Sequence, residues 1–258
     1  MDIAYSLAGF FVGAVVGLTG VGGGSLMTPL LVLGFGVAPV MAVGTDLLYA
    51  GITKAGGAAA HGLRGHVDWR IAARLAAGSV PGAGIGLLIL ANAPAASKDS
   101  AAIVSTALGV MLVLTALALA FRTPLVAWAR AQGERGLLSA HRTPVTIATG
   151  LFIGLAVTLS SVGAGAVGVT ALALLYPALA TVRIVGTDIA HAIPIALVAG
   201  LGHAALGNVD WILLATLLAG SIPGIVLGSH LAARLPERVV RHSLVAVLLL
   251  VGARLVVH

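Results

Sequence analysis

The 258-residue chain contains no cysteine, which excludes disulfides, thiolate metal sites and cysteine nucleophiles. It is also poor in charge, with Asp, Glu, Lys and Arg making up 9% of residues where a soluble globular protein carries about a quarter. It shows no short basic–apolar–small pattern of the kind that precedes a signal cleavage site, so no removable signal peptide is expected. What fills the chain instead is apolar: 59% hydrophobic residues and a mean hydropathy of +1.12. Such a composition defines an all-α integral membrane protein, with the cell (inner) membrane as its expected location. The net charge of +6 comes mainly from arginines in loops and reads as topology rather than nucleic-acid binding.

Apolar stretches long enough to cross a bilayer run near 39–60, 69–93, 101–121, 181–203, 211–233 and 239–257. Two further stretches, 3–34 and 145–176, are too long for one span and carry glycine-rich interruptions, "TGVGGG" at 19–24 and "SSVGAG" at 160–165.

An internal repeat organises these segments. "HGLRGHVDWRIAARLAAGSVPGAGIG" (61–86) aligns without gaps on "HAALGNVDWILLATLLAGSIPGIVLG" (203–228), with 13 of 26 positions identical. Roughly a tenth would match by composition alone. The same offset places Gly44-Thr45-Asp46 on Gly186-Thr187-Asp188, and an offset shorter by one places the two glycine motifs on each other. The chain therefore divides into repeat 1 (1–121), a basic linker expected to be cytoplasmic (122–143) and repeat 2 (144–258). Lys54, Arg64, Arg70 and Arg74 surround one turn of the first half, whose counterpart around 203–216 has no Lys or Arg. At the next turn the bias reverses, Lys98 standing against Arg234, Arg238 and Arg241. Swapped charge points to inverted repeats, each with three spanning helices and one Gly-broken, re-entrant or split helix. A parallel four-plus-four arrangement is the alternative.

Backbone without helical hydrogen bonds is tolerated at membrane depth only where protein or a watery cavity satisfies it. The two breaks therefore mark a candidate anion site, built from Thr19, Gly22, Gly23, Gly24 and Ser25 in one half and Ser160, Ser161, Gly163 and Gly165 in the other. Glycine lets a ligand approach the bare backbone, and a half-helix starting at the break aims free N–H groups and a positive dipole end at it. For Gly9, Gly13, Gly17, Gly150 and Gly154, close helix packing is the simpler account. Asp46 and Asp188 lie about two turns into spanning helices, where a carboxyl is costly and a functional role is the default. They are candidates for proton coupling, with His191 three residues after Asp188 as a relay, or for capping the broken helix of their own half. Lys54 either attracts the anion or snorkels to the interface. Asp68 and Asp210, each before a Trp, read as helix N-caps, and His61 and His203 as packing residues. Pro81 and Pro223 should kink their helices, with Ser79 and Ser221 refilling the freed hydrogen bonds. No metal site and no cofactor is expected.

"GLTGVGGGSLMTPLL", the "AVGTD" after it and the repeated four-segment layout resemble the sulfite exporter TauE/SafE family over essentially the whole chain. The resemblance implies secondary transport of small anions, sulfite and organosulfonates such as sulfoacetate among them, linked to protons or driven by the membrane potential. The partners expected are then a small anion and the lipid bilayer, and the export direction follows from the resemblance alone. Two rival readings stand beside it. One is an anion channel. The other is an intramembrane aspartyl enzyme, which the motifs fit poorly: both aspartates follow "VGT", and Pro177-Ala178-Leu179 precedes the second aspartate.

Overall fold

A computed structural model describes residues 3–19, 24–63, 65–93, 98–132, 141–231 and 237–257, and among them the chain is all-helical, with no strands. The helices are α1 (Ile3–Thr19), α2 (Gly24–Pro29, continued by a π-helical turn Leu30–Gly34), α3 (Pro39–Leu63), α4 (Trp69–Asn92) and α5 (Lys98–Gln132). The second half supplies α6 (Arg142–Ser160), α7 (Ala166–Leu175), α8 (Thr181–Ala205), α9 (Trp211–Leu231) and α10 (Glu237–Val257). Among the described residues five helices are long and apolar enough to cross a bilayer: Trp69–Asn92, Ser100–Ala131, Arg142–Ser160, Thr181–Ala205 and Trp211–Gly228. The basic stretch after residue 121 does not begin as a loop, because α5 continues through it to Gln132.

Both glycine-broken segments are helical hairpins. The ring of Tyr5, near the start of α1, lies 4.8 Å from that of Phe35, just past α2. Val12 packs with Met27 and Leu31, so α2 runs back along α1. In the second half the hydroxyls of Thr146 and Tyr176 meet at 2.8 Å, and the Arg142 guanidinium stands 5.9 Å over the Tyr176 ring. In the second half the turn between α6 and α7 falls in the glycine motif, and in the first half α2 starts at Gly24, the last residue of its motif.

The helix starts follow local chemistry. Asp68 Oδ1 accepts from Ile71 N at 3.2 Å, and Asp210 Oδ1 from Ile212 N and Leu213 N at 3.0 and 2.9 Å. Both aspartates are the caps that the sequence indicates. α8 ends where Gly207 turns to a φ of 76°, a left-handed conformation natural to glycine.

The halves pack on each other reciprocally. Gly9 and Gly13 of α1 lie on the backbone of Leu217 and Ser221 in α9, while Gly150 and Gly154 of α6 lie on that of Leu75 and Ser79 in α4. A Cβ on any of the four would meet a carbonyl group, so these glycines set helix separation, as expected for small residues at membrane interfaces. Hydrogen bonds repeat the pattern: Thr45 Oγ1 accepts from Asp210 N at 3.0 Å and Thr187 Oγ1 from Asp68 N at 2.9 Å. The equivalent helices α3 and α8 run antiparallel, with Gly44 against His203, Leu48 against Gly200 and Gly51 against Leu197. α5 and α10 are antiparallel as well, Gly252 packing on Gly109 while Arg241 donates to Thr123 Oγ1 at 3.2 Å.

Two expectations change here. Ser79 does not refill a bond freed by Pro81: its hydroxyl meets His191 Nε2 at 2.8 Å, because α8 presents that ring to α4. Its counterpart Ser221 is buried with an unpaired Oγ. His203 is fully buried, and its Nε2 lies 2.9 Å from the Thr158 carbonyl oxygen. The side chain of His61 lies outside the described residues.

Candidate functional site

The two hairpin tips meet. Gly24, the first residue of α2, lies against the backbone carbonyl of Ser161, so closely that a Cβ at residue 24 would overlap that oxygen and come within 2.9 Å of the Ser161 hydroxyl. Ser161 ends α6 in the left-handed conformation, with φ 58°, uncommon for a residue other than glycine. Gly163 and Gly165 follow at φ 129° and 128°, where a side chain is strained. This succession reverses the chain within five residues and delivers it to the start of α7 at Ala166.

Ser160 is committed: its hydroxyl lies 2.6 Å from Ala156 O and 3.1 Å from both the N–H and the carbonyl of Val162, closing the end of α6. Ser161 Oγ is buried close to the Asp46 carboxyl, outside good hydrogen-bond geometry. Ser25 is buried beside it in a small polar cavity that Gly24, Lys54, Thr115, Ser161 and Gly163 also line. That cavity holds about 10 Å³, room for about one water molecule. Gly22, Gly23 and the side chain of Thr19 lie outside the described residues.

Three ionisable side chains converge on the tips. Asp46 is fully buried and its Oδ2 accepts from Thr28 Oγ1 at 2.5 Å, while Oδ1 has no partner. Asp188 is buried as well, its Oδ1 unpaired and set against Gly168 in the first turn of α7. Lys54 does not snorkel outward. Its Nζ donates to the Ala164 carbonyl in the second tip at 3.4 Å, within electrostatic reach of both aspartates. A carbonyl left free by the broken helix, together with two carboxyls, offers the ammonium better company than an interface several residues away. His191 turns from Asp188 to Ser79 and leaves Nδ1 unpaired.

Sequence reasoning missed Thr28, Thr115 and Met111. Thr28 carried a signal, since it stands in the stretch "GLTGVGGGSLMTPLL" and a buried carboxyl needs a donor. Met111, whose methyl covers Gly163, and Thr115 carried none, being ordinary residues of an apolar span.

A bundle of apolar helices with two helical hairpins, and with ionisable and unpaired polar groups buried where their tips meet, defines a membrane transport protein rather than an enzyme. The chain belongs to the sulfite exporter TauE/SafE family, whose model matches residues 5–255. It is 39% identical over 256 residues to the probable membrane transporter protein YjnA of Bacillus subtilis (strain 168), covering 99% of this chain and all of that one. Probable membrane transporter protein YdhB of the same organism is 26% identical over 238 residues, 91% of this chain and 92% of its own. YunE, of the same description and organism, matches over 77 residues at 42% identity, 30% of this chain and 27% of its own. No solved structure matches the chain significantly.

Proposed function

We propose that this transporter is a secondary carrier of a small anion, sulfite or an organosulfonate, exported across the cell membrane and linked to protons. The observation that carries the reading is the meeting of the two tips at Gly24 and Ser161, with Lys54 drawn in between Asp46 and Asp188. The Lys54 ammonium, the Ser161 and Ser25 hydroxyls and the start of α7 supply positive charge and donors, the chemistry that an oxyanion or sulfonate requires.

A cavity of about 10 Å³ is too small for any of these anions, so the tips must part to admit one. The antiparallel course of the equivalent pairs α3/α8 and α5/α10 supports inverted repeats, because a two-fold axis relating antiparallel spans lies in the membrane plane. Rocking of one hairpin against the other then exposes the tips to each side in turn. Asp46 and Asp188 carry the proton: a protonated carboxyl no longer repels the anion.

The test is uptake into proteoliposomes of sulfite, sulfoacetate, other sulfonates, sulfate and carboxylates at two pH values. Saturable uptake with counterflow is expected for at least one sulfur anion. If none moves, the carrier reading fails, and flux without counterflow marks a channel. Asp46→Asn combined with Asp188→Asn should abolish the pH dependence; full retention removes these two residues as proton carriers.

A further inference from the structure

A groove of about 560 Å³ runs beside the first hairpin, between α1, α2 and α10. Its walls are apolar, with Val15, Leu30 and Val251 among them, and its edges at Phe11 and Leu250, 66% and 74% exposed, open it to the surrounding hydrocarbon. The fold does not require this gap. At the equivalent place in the other half, α7 and the second tip pack directly on α5 through Val162 and Ala166 against Leu108, Met111 and Leu112. In a bilayer, a space of this size left between helices is filled by lipid, and it lies within the about 300–1,000 Å³ typical of ligand clefts.

One cation lines the groove. Arg254 stands in the last turn of α10, exposed, and among the described residues it makes no hydrogen bond or ion pair. A guanidinium on an apolar wall has its five donors unmet unless an anion or water reaches it, and its planar fork matches a phosphate. Long cationic side chains near helix ends reach toward head-group level, and basic positions between spanning helices bind anionic lipid head groups. We propose that the groove is a binding site for one anionic phospholipid, with an acyl chain along α2 and α10 and the phosphate paired to Arg254. The site is separate from the tips, yet its occupant rests on α2, the arm that carries Gly24.

The test exposes the purified protein to vesicles of equal parts phosphatidylethanolamine and phosphatidylglycerol and counts retained lipid by native mass spectrometry. The expected result is one phosphatidylglycerol per chain. Arg254→Gln should lower retention at least about tenfold, the loss of one charge-assisted contact. Val251→Trp, which fills the groove and keeps the arginine, should lower it too, and unchanged melting of both variants shows that the fold is intact. The proposal is overturned if the wild type keeps no lipid, if both head groups are retained equally, or if either variant keeps phosphatidylglycerol as the wild type does. Because the chain has no cysteine, a Leu30→Cys, Val251→Cys pair gives a clean second readout. Rapid disulfide formation in bilayers would show α10 closing on α2 with nothing between, which also overturns it.

Discussion

Replacing Gly24 by alanine tests the contact between the tips. The added methyl would fall on the Ser161 carbonyl oxygen and 3.0 Å from its carbonyl carbon. An ordinary carbon–oxygen contact is about 3.3–3.6 Å, so the tips must part by about an ångström. The obstacle is backbone held in a left-handed turn, not the end of a flexible side chain, so the strain cannot relax by a rotamer change. Overpacking of this kind costs about 1–3 kcal/mol. If that cost falls on the closed arrangement alone, the balance between closed and open tips shifts by about 5–150-fold.

Two measurements read the shift. Thermal melting in detergent should fall by about 2–4 °C per kcal/mol. Uptake in proteoliposomes should lose counterflow relative to net flux, since tips that cannot close leave the path open. The control is Gly84→Ala, where nothing lies within 4 Å of the new methyl and a helix-interior alanine is favoured by about 1 kcal/mol. Gly84→Ala should transport like the wild type and melt no lower. If Gly24→Ala matches that control in both assays, the tips are not in contact in the membrane and Gly24 and Ser161 do not form one site.

Other consequences are as specific. Lys54→Ala should reduce uptake of any transported anion by at least about tenfold, about 1.4 kcal/mol, mostly through KM, whereas a snorkelling lysine would leave KM unchanged. Thr45→Val and Thr187→Val each strand one backbone N–H, of Asp210 and of Asp68, and each should cost about 1–3 kcal/mol in stability. Their reciprocal geometry predicts equal effects, within about 0.5 kcal/mol, and clearly unequal melting would break the equivalence of the two halves.

Much of this architecture was legible in the residues, because in a membrane the chain must satisfy its own backbone and so advertises where it fails to. Four of the six apolar runs recur as helices long and apolar enough to cross a bilayer, although α5 runs on to Gln132, and the second glycine motif marks the turn between α6 and α7. The packing role of Gly9, Gly13, Gly150 and Gly154 follows from size alone. Side-chain direction was not legible. Lys54 reaches a carbonyl 110 residues away, and His191 a serine 112 residues away, contacts that no helical spacing encodes. Ser79 read as a local patch for Pro81, but the crossing of α4 and α8 gave it a remote partner. The groove beside α10 was equally hidden, since it arises from a difference between two similarly apolar helices.

Lys54 breaks the symmetry of the site, and that asymmetry can be moved. The lysine belongs to the first half and reaches the second tip; at the aligned position of the second half stands Ala196, buried where α8 meets α3. If α3 and α8 are related by a two-fold axis, a lysine at 196 points at the first tip as Lys54 points at the second. The double variant Lys54→Ala, Ala196→Lys keeps the charge count and transfers the cation between half-sites. It should regain transport above Lys54→Ala alone, with a different KM, because the two glycine motifs differ in sequence, Gly20 and Gly23 aligning with Ser161 and Ala164. The new lysine is crowded, the Ala196 methyl lying 3.6 Å from a Cβ placed on Gly51, so Ala196→Lys alone must first be shown to fold. A folded double variant no more active than Lys54→Ala would mean that the cation works only at the second tip, leaving the first as scaffold.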